Sequence, residues 1–61
     1  MNIDLFVGSK VKIVGTNGEK SSGVVMGGYF TRENGPVLIV KDAETSQLLS
    51  YTLKHYLVYI L

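Results

Sequence analysis

Short apolar runs, one of them alternating with lysine at a period of two, are separated along this chain by turns rich in glycine and asparagine. That period belongs to β-strands. The stretch Gly23-Val24-Val25-Met26-Gly27-Gly28-Tyr29-Phe30 predicts a central strand. Successive strand side chains point to opposite faces, so Val24, Met26 and Phe30 fall on one side and Val25 and Tyr29 on the other. Neither side is polar. Such a strand either lies between two layers or curves strongly within a small barrel. Gly27 and Gly28 favour curvature, because adjacent glycines in a strand mark a bulge or a sharp bend. A helix is disfavoured, since each glycine of this stretch would cost roughly 1 kcal/mol relative to alanine.

Taken in order, residues 1–7 read as an extended lead-in whose Leu5, Phe6 and Val7 close one end of the core. Gly8-Ser9 turns the chain into Lys10-Val11-Lys12-Ile13, a half-exposed strand with Val11 and Ile13 facing in. Gly15-Thr16-Asn17-Gly18 predicts a hairpin turn with positive φ at both Asn17 and Gly18, and residues 19–22 continue it as a polar loop. A second Asn-Gly pair, Asn34-Gly35, precedes Pro36 and the β-branched run 37–40, expected to pair antiparallel with the central strand. Asp42 to Ser46 form a third turn. The following strand places Leu49, Tyr51 and Leu53 on one face; residues 53–55 predict a single 3₁₀ turn, and residues 56–61 a last strand that is apolar on both faces. About five short antiparallel strands joined by tight turns define an all-β fold, a small SH3-like barrel forming one domain over residues 1–61.

Composition narrows the picture. A chain of 61 residues buries only about 60% of its unfolded surface, so the core is small. The absence of cysteine removes disulfides and thiolate metal sites, and a lone histidine removes most zinc constellations. With central and final strands apolar on both faces, self-association into a dimer or tetramer is expected. A net charge of +1 imposes no partner class. No apolar run is long enough to span a bilayer as a helix, and the N-terminus has no signal-peptide pattern. These features predict a cytoplasmic protein, complete as a short gene product, of the kind found among phage and mobile-element accessory proteins.

Candidate chemistry is sparse. No nucleophile, base and oxyanion site assemble, so no catalytic residue, cofactor or metal site is predicted. His55 lies in a turn without a neighbouring carboxylate, and Asp42 and Glu44 serve as turn formers and solubilising charges. Tyrosines bridge core and surface and are enriched at interfaces, which makes Tyr29, Tyr51 and Tyr56, with Arg32 at the rim, the expected binding surface for another protein. Nucleic acid is the alternative partner. Lys10, Lys12 and Lys20, converging with Arg32 or Lys54, would contact phosphates, and Phe30 and Tyr59 add stacking surface.

Two resemblances follow from these motifs. Gly8-x-x-Val11, the run from Gly23 to Thr31, Val40 and Ile60 resemble the SH3-like barrel of the plasmid-borne type II dihydrofolate reductases over roughly residues 8–60. The resemblance implies a homotetramer with a central pore for folate and NADPH. The family's Val-Gln-Ile-Tyr stretch is replaced by Leu48-Leu49-Ser50-Tyr51, and its basic pore residue falls beside Ile13, with Lys12 nearest. It therefore implies fold and assembly first, with a pore that binds a nucleotide or folate ligand as the further alternative. Gly18-x-x-x-x-Gly23-x-Val25, Asn34-Gly35 and Asp42 also resemble Sm-like and KOW-type barrels, which implies nucleic-acid binding.

Overall fold

A computed structural model describes residues 6–61. Five strands, β1 (Lys10–Gly15), β2 (Lys20–Thr31), β3 (Gly35–Asp42), β4 (Leu48–Thr52) and β5 (Tyr56–Ile60), form one antiparallel sheet in the order β4-β3-β2-β1-β5. The first four make a meander, and β5 returns to pair with β1. This is the barrel-like all-β architecture predicted from the turn spacing. The sheet curls without closing: β4 and β5 are its two edges, and each pairs on one side only.

Alternation sorts the side chains into an inner and an outer face. Val11, Ile13, Val25, Leu38 and Val40 point inward and form the buried core, joined by Phe6, Tyr51, Leu53, Tyr56 and Val58 from its margins. Each fully buried aliphatic side chain contributes about 1.5–3 kcal/mol relative to an exposed one. Gly23 lies in this face between Val11 and Asp42, where a Cβ would sit 2.7 Å from Val40 Cγ1. The close approach of β2 to β3 therefore requires glycine at this point.

The central strand departs from simple alternation at the place its glycines mark. Val25 faces Val40, but Gly27 faces Ile39, so Met26 is an extra residue inserted into β2. One extra residue exchanges the two faces beyond it. Tyr29 consequently stands opposite Val37 rather than on the side of Val25, and Phe30 stands opposite Pro36. Burial on both faces ends with Val25; Met26, Tyr29 and Phe30 are 51%, 48% and 75% exposed. The second half of β2 is the solvent-exposed arm of the β2–β3 hairpin instead of a strand buried on both faces.

Several local expectations are corrected. Lys20 to Ser22 belong to β2, paired with Val14, Ile13 and Lys12, rather than to a loop. In both Asn-Gly turns only the glycine is left-handed, with φ of 87° at Gly18 and 72° at Gly35. Asn17 instead accepts the Glu19 N–H on Oδ1 at 3.2 Å, and the Gly15 carbonyl accepts the Gly18 N–H at 3.1 Å. This is a type I turn closed by a glycine bulge, which needs one positive φ where a two-residue Asn-Gly hairpin needs two. Residues 53–55 do form the single turn expected there, closed by the His55 N–H on the Thr52 carbonyl three residues back. Of the lead-in residues, Leu5 lies outside the described residues, Phe6 packs on the core, and Val7 is exposed.

Candidate functional site

Tyr51 and Tyr56 meet across the open seam of the barrel. Tyr51 comes from β4 opposite Leu38, and Tyr56 begins β5 opposite Gly15, whose missing side chain leaves room for the ring. The rings make an edge-to-face contact at 5.2 Å and 81°. Tyr51 also shares a 3.1 Å hydrogen bond with the Ser21 hydroxyl on β2. Both tyrosines are partly buried and pack on the core, so they join β4, β2 and β5 as structural members as much as surface groups.

The structure does not unite the four residues expected to form one partner-binding surface. Tyr29, displaced to the outer face by the bulge, and Arg32, in the β2–β3 turn, lie on the exposed arm. Tyr51 and Tyr56 lie on the inner face. The single tyrosine surface divides into two places because one inserted residue separates them.

Exposed apolar side chains collect on the edge strands. Leu57, Tyr59 and Ile60 of β5 are 61%, 52% and 57% exposed, Leu61 follows them, and Leu48 and Leu49 of β4 are exposed as well. Between β5 and the core, an apolar cavity of about 230 Å³ is floored by Val11, Val25 and Leu38 and flanked by Phe6, Leu53 and Val58. Its lining offers hydrophobic contact, with no cluster of groups fit for proton transfer.

The basic residues are arranged differently from the tyrosines. Lys10, Lys12 and Lys20 share the outer face, standing opposite Val24, Ser22 and Val14. Lys41 joins them there, also opposite Val24. Arg32 does not, because it belongs to the distant turn, and Lys54 lies in the β4–β5 turn. Lys41 was not a candidate from sequence; its only signal is the register that follows from the bulge.

Asp42 accepts hydrogen bonds on Oδ2 from the N–H groups of Thr45 and Glu44, at 2.9 and 3.0 Å, and from the Thr45 hydroxyl at 3.2 Å. The bonds from Thr45 N–H and then Glu44 N–H hold its pKa below the ordinary aspartate value. This carboxylate organises its own loop. His55 is exposed in the β4–β5 turn. No group of three or more potential metal-ligating side chains occurs among the described residues. No helix among them is long and apolar enough to cross a membrane. No protein-family model, curated protein or solved structure matches the chain.

Proposed function

We propose that this chain is a non-enzymatic, cytoplasmic interaction module that assembles with itself through its free edge strands and, as an assembled barrel, binds and modulates another protein. The observation that carries the reading is the apolar character of β5, a free edge with Leu57, Tyr59 and Ile60 all more than half exposed. An exposed edge offers unpaired N–H and C=O groups to another strand, and apolar side chains on both faces add the affinity that backbone pairing lacks. Natural edges that remain single are usually blunted by a charge or a proline, and β5 has neither. Tyr51 and Tyr56 support the same strand from within, and Tyr29 with Arg32 on the exposed arm supplies a separate surface for a different protein.

Light scattering over a range of concentration and salt tests the assembly. The parent chain is expected at the mass of a dimer or tetramer, and Leu57→Lys, which places a charge on the edge strand, is expected to return it to the monomer while a cooperative melt is retained. A parent chain that stays monomeric at every concentration overturns the reading.

A further inference from the structure

From the outer face of the sheet we infer a second site: a surface on β1, β2 and β3, extended by the outward side chains of the edge strand β5, that binds the backbone of single-stranded nucleic acid. The strand register arranges this face as three rows. The first runs Leu61, Lys10, Val24, Lys41, Leu48, the Leu61 N–H bonding Lys10 O to continue the ladder. The second is Tyr59, Lys12, Ser22, and the third Leu57, Val14, Lys20. Strand geometry puts Lys10 about 7 Å from Lys12, Lys12 about 8 Å from Lys20, and Lys10 about 10 Å from Lys41 at the backbone. Lys10, Lys12 and Lys20 therefore lie within about one Debye length of a neighbour at physiological salt, with Lys41 a little beyond it, and act on a polyanion together.

The charge is concentrated rather than excessive. Four of the chain's six basic residues share this face, where two of its five acidic residues, Asp42 and Glu44, line the same groove as Lys12 and Lys20. All four lysines are exposed, and none takes part in the side-chain hydrogen bonds among the described residues. Lys12 and Lys20 line a groove of about 550 Å³ together with Ser21, Ser22, Leu61, Asp42 and Glu44. Asp42, kept ionised by its loop hydrogen bonds, and Glu44 are both opposing charges for an anionic ligand here, and among the described residues Glu44 is the one free of loop bonds to its side chain.

Apolar and aromatic groups between the lysines distinguish the ligand. Tyr59, half exposed beside Lys12, offers a ring for base stacking, with Leu57 and Leu61 exposed on either side. A flexible single strand lays phosphates on the lysines and a base on Tyr59. A rigid duplex presents phosphates alone and leaves these apolar groups in water. The lysine rows lie away from the free edges, whereas Tyr59 and Leu57 belong to the β5 edge proposed for assembly, so the stacking part of the site is shared with that surface.

Fluorescence anisotropy of the full chain with a labelled oligothymidylate, from low to physiological salt, tests the site. About four phosphate contacts predict a slope of log K against log salt near −3, and Lys12→Gln should reduce its magnitude by about 0.7. Lys54→Gln, outside the face, should leave the slope unchanged. Glu44→Gln should tighten binding, and Tyr59→Leu should weaken it at least about fivefold without altering the slope. A duplex of equal length, and polyglutamate, should bind more weakly. The inference is overturned by no binding at low salt, by tighter binding of duplex or polyglutamate, or by a slope indifferent to Lys12. Solution mass measured on the same samples separates this outcome from failure of the assembly reading.

Discussion

Replacing Gly23 by alanine adds a single methyl group at the one point where β1, β2 and β3 are packed too closely to receive it. The new Cβ would press on the carbonyl oxygen of Lys41, lie 3.0 Å from the Lys41 carbonyl carbon and 2.7 Å from Val40 Cγ1. Two of these three atoms are backbone of a strand paired on both sides, so relief requires β2 and β3 to move apart. Overpacking of this kind costs about 1–3 kcal/mol. Alanine recovers about 0.5–1 kcal/mol by restricting the unfolded chain, leaving a net loss of up to about 2.5 kcal/mol. A domain of this length has a total stability of only about 3–9 kcal/mol. At about 4–8 °C per kcal/mol, Tm should fall by roughly 10 °C. Gly27→Ala in the same strand is the matched control, because nothing lies within 4 Å of its Cβ and its φ is not positive. Its Tm should stay level or rise slightly. Thermal melts followed by circular dichroism decide the matter: a Gly23→Ala Tm close to the parent's, or equal losses for both variants, would refute the packing argument.

Tyr51→Phe keeps the contact with Tyr56 but removes the hydrogen bond to Ser21, so stability measured by urea denaturation should fall by about 0.5–1.5 kcal/mol; an unchanged midpoint would mean that the bond contributes nothing. Asp42 has a folded-state pKa below its ordinary value of 3.8, so its stabilising effect is present above that value and lost as pH falls through the folded pKa. Melting curves from neutral to acid pH should therefore run flatter across that acid range for Asp42→Asn than for the parent, and parallel curves would contradict the role of the loop bonds.

Much of the fold was legible because its signals are local. The alternation at Lys10 to Ile13, the run from Val37 to Val40 and the placing of Leu49 and Tyr51 on one face all appear in the strands they predict, whereas Leu53 falls in the turn after β4. Gly27 and Gly28 also marked the bulge correctly. What they could not indicate was which residue the bulge would insert, and that choice decides the face of every side chain beyond it. Tyr29 was misplaced for this reason, and Lys41 escaped notice because its company with Lys10 depends on the pairing of β3 with β2. The division of the tyrosines, and the gathering of Lys10, Lys12 and Lys20 without Arg32, are likewise consequences of register, a property of two strands that neither shows alone.

The insertion of Met26 also governs how the chain can change over generations. In an uninterrupted strand every position from Lys20 to Thr31 would answer to one inward-outward schedule, and altering the tip would disturb the interior. The inserted residue divides β2 into a proximal part bound by Val25 and a distal part whose Tyr29 and Phe30 already meet solvent. Substitutions at the tip are thus insulated from the core, whereas loss of a single codon at Met26 would rejoin the two schedules and turn the distal side chains over together. The arm can diversify by replacement far more readily than by a change in length.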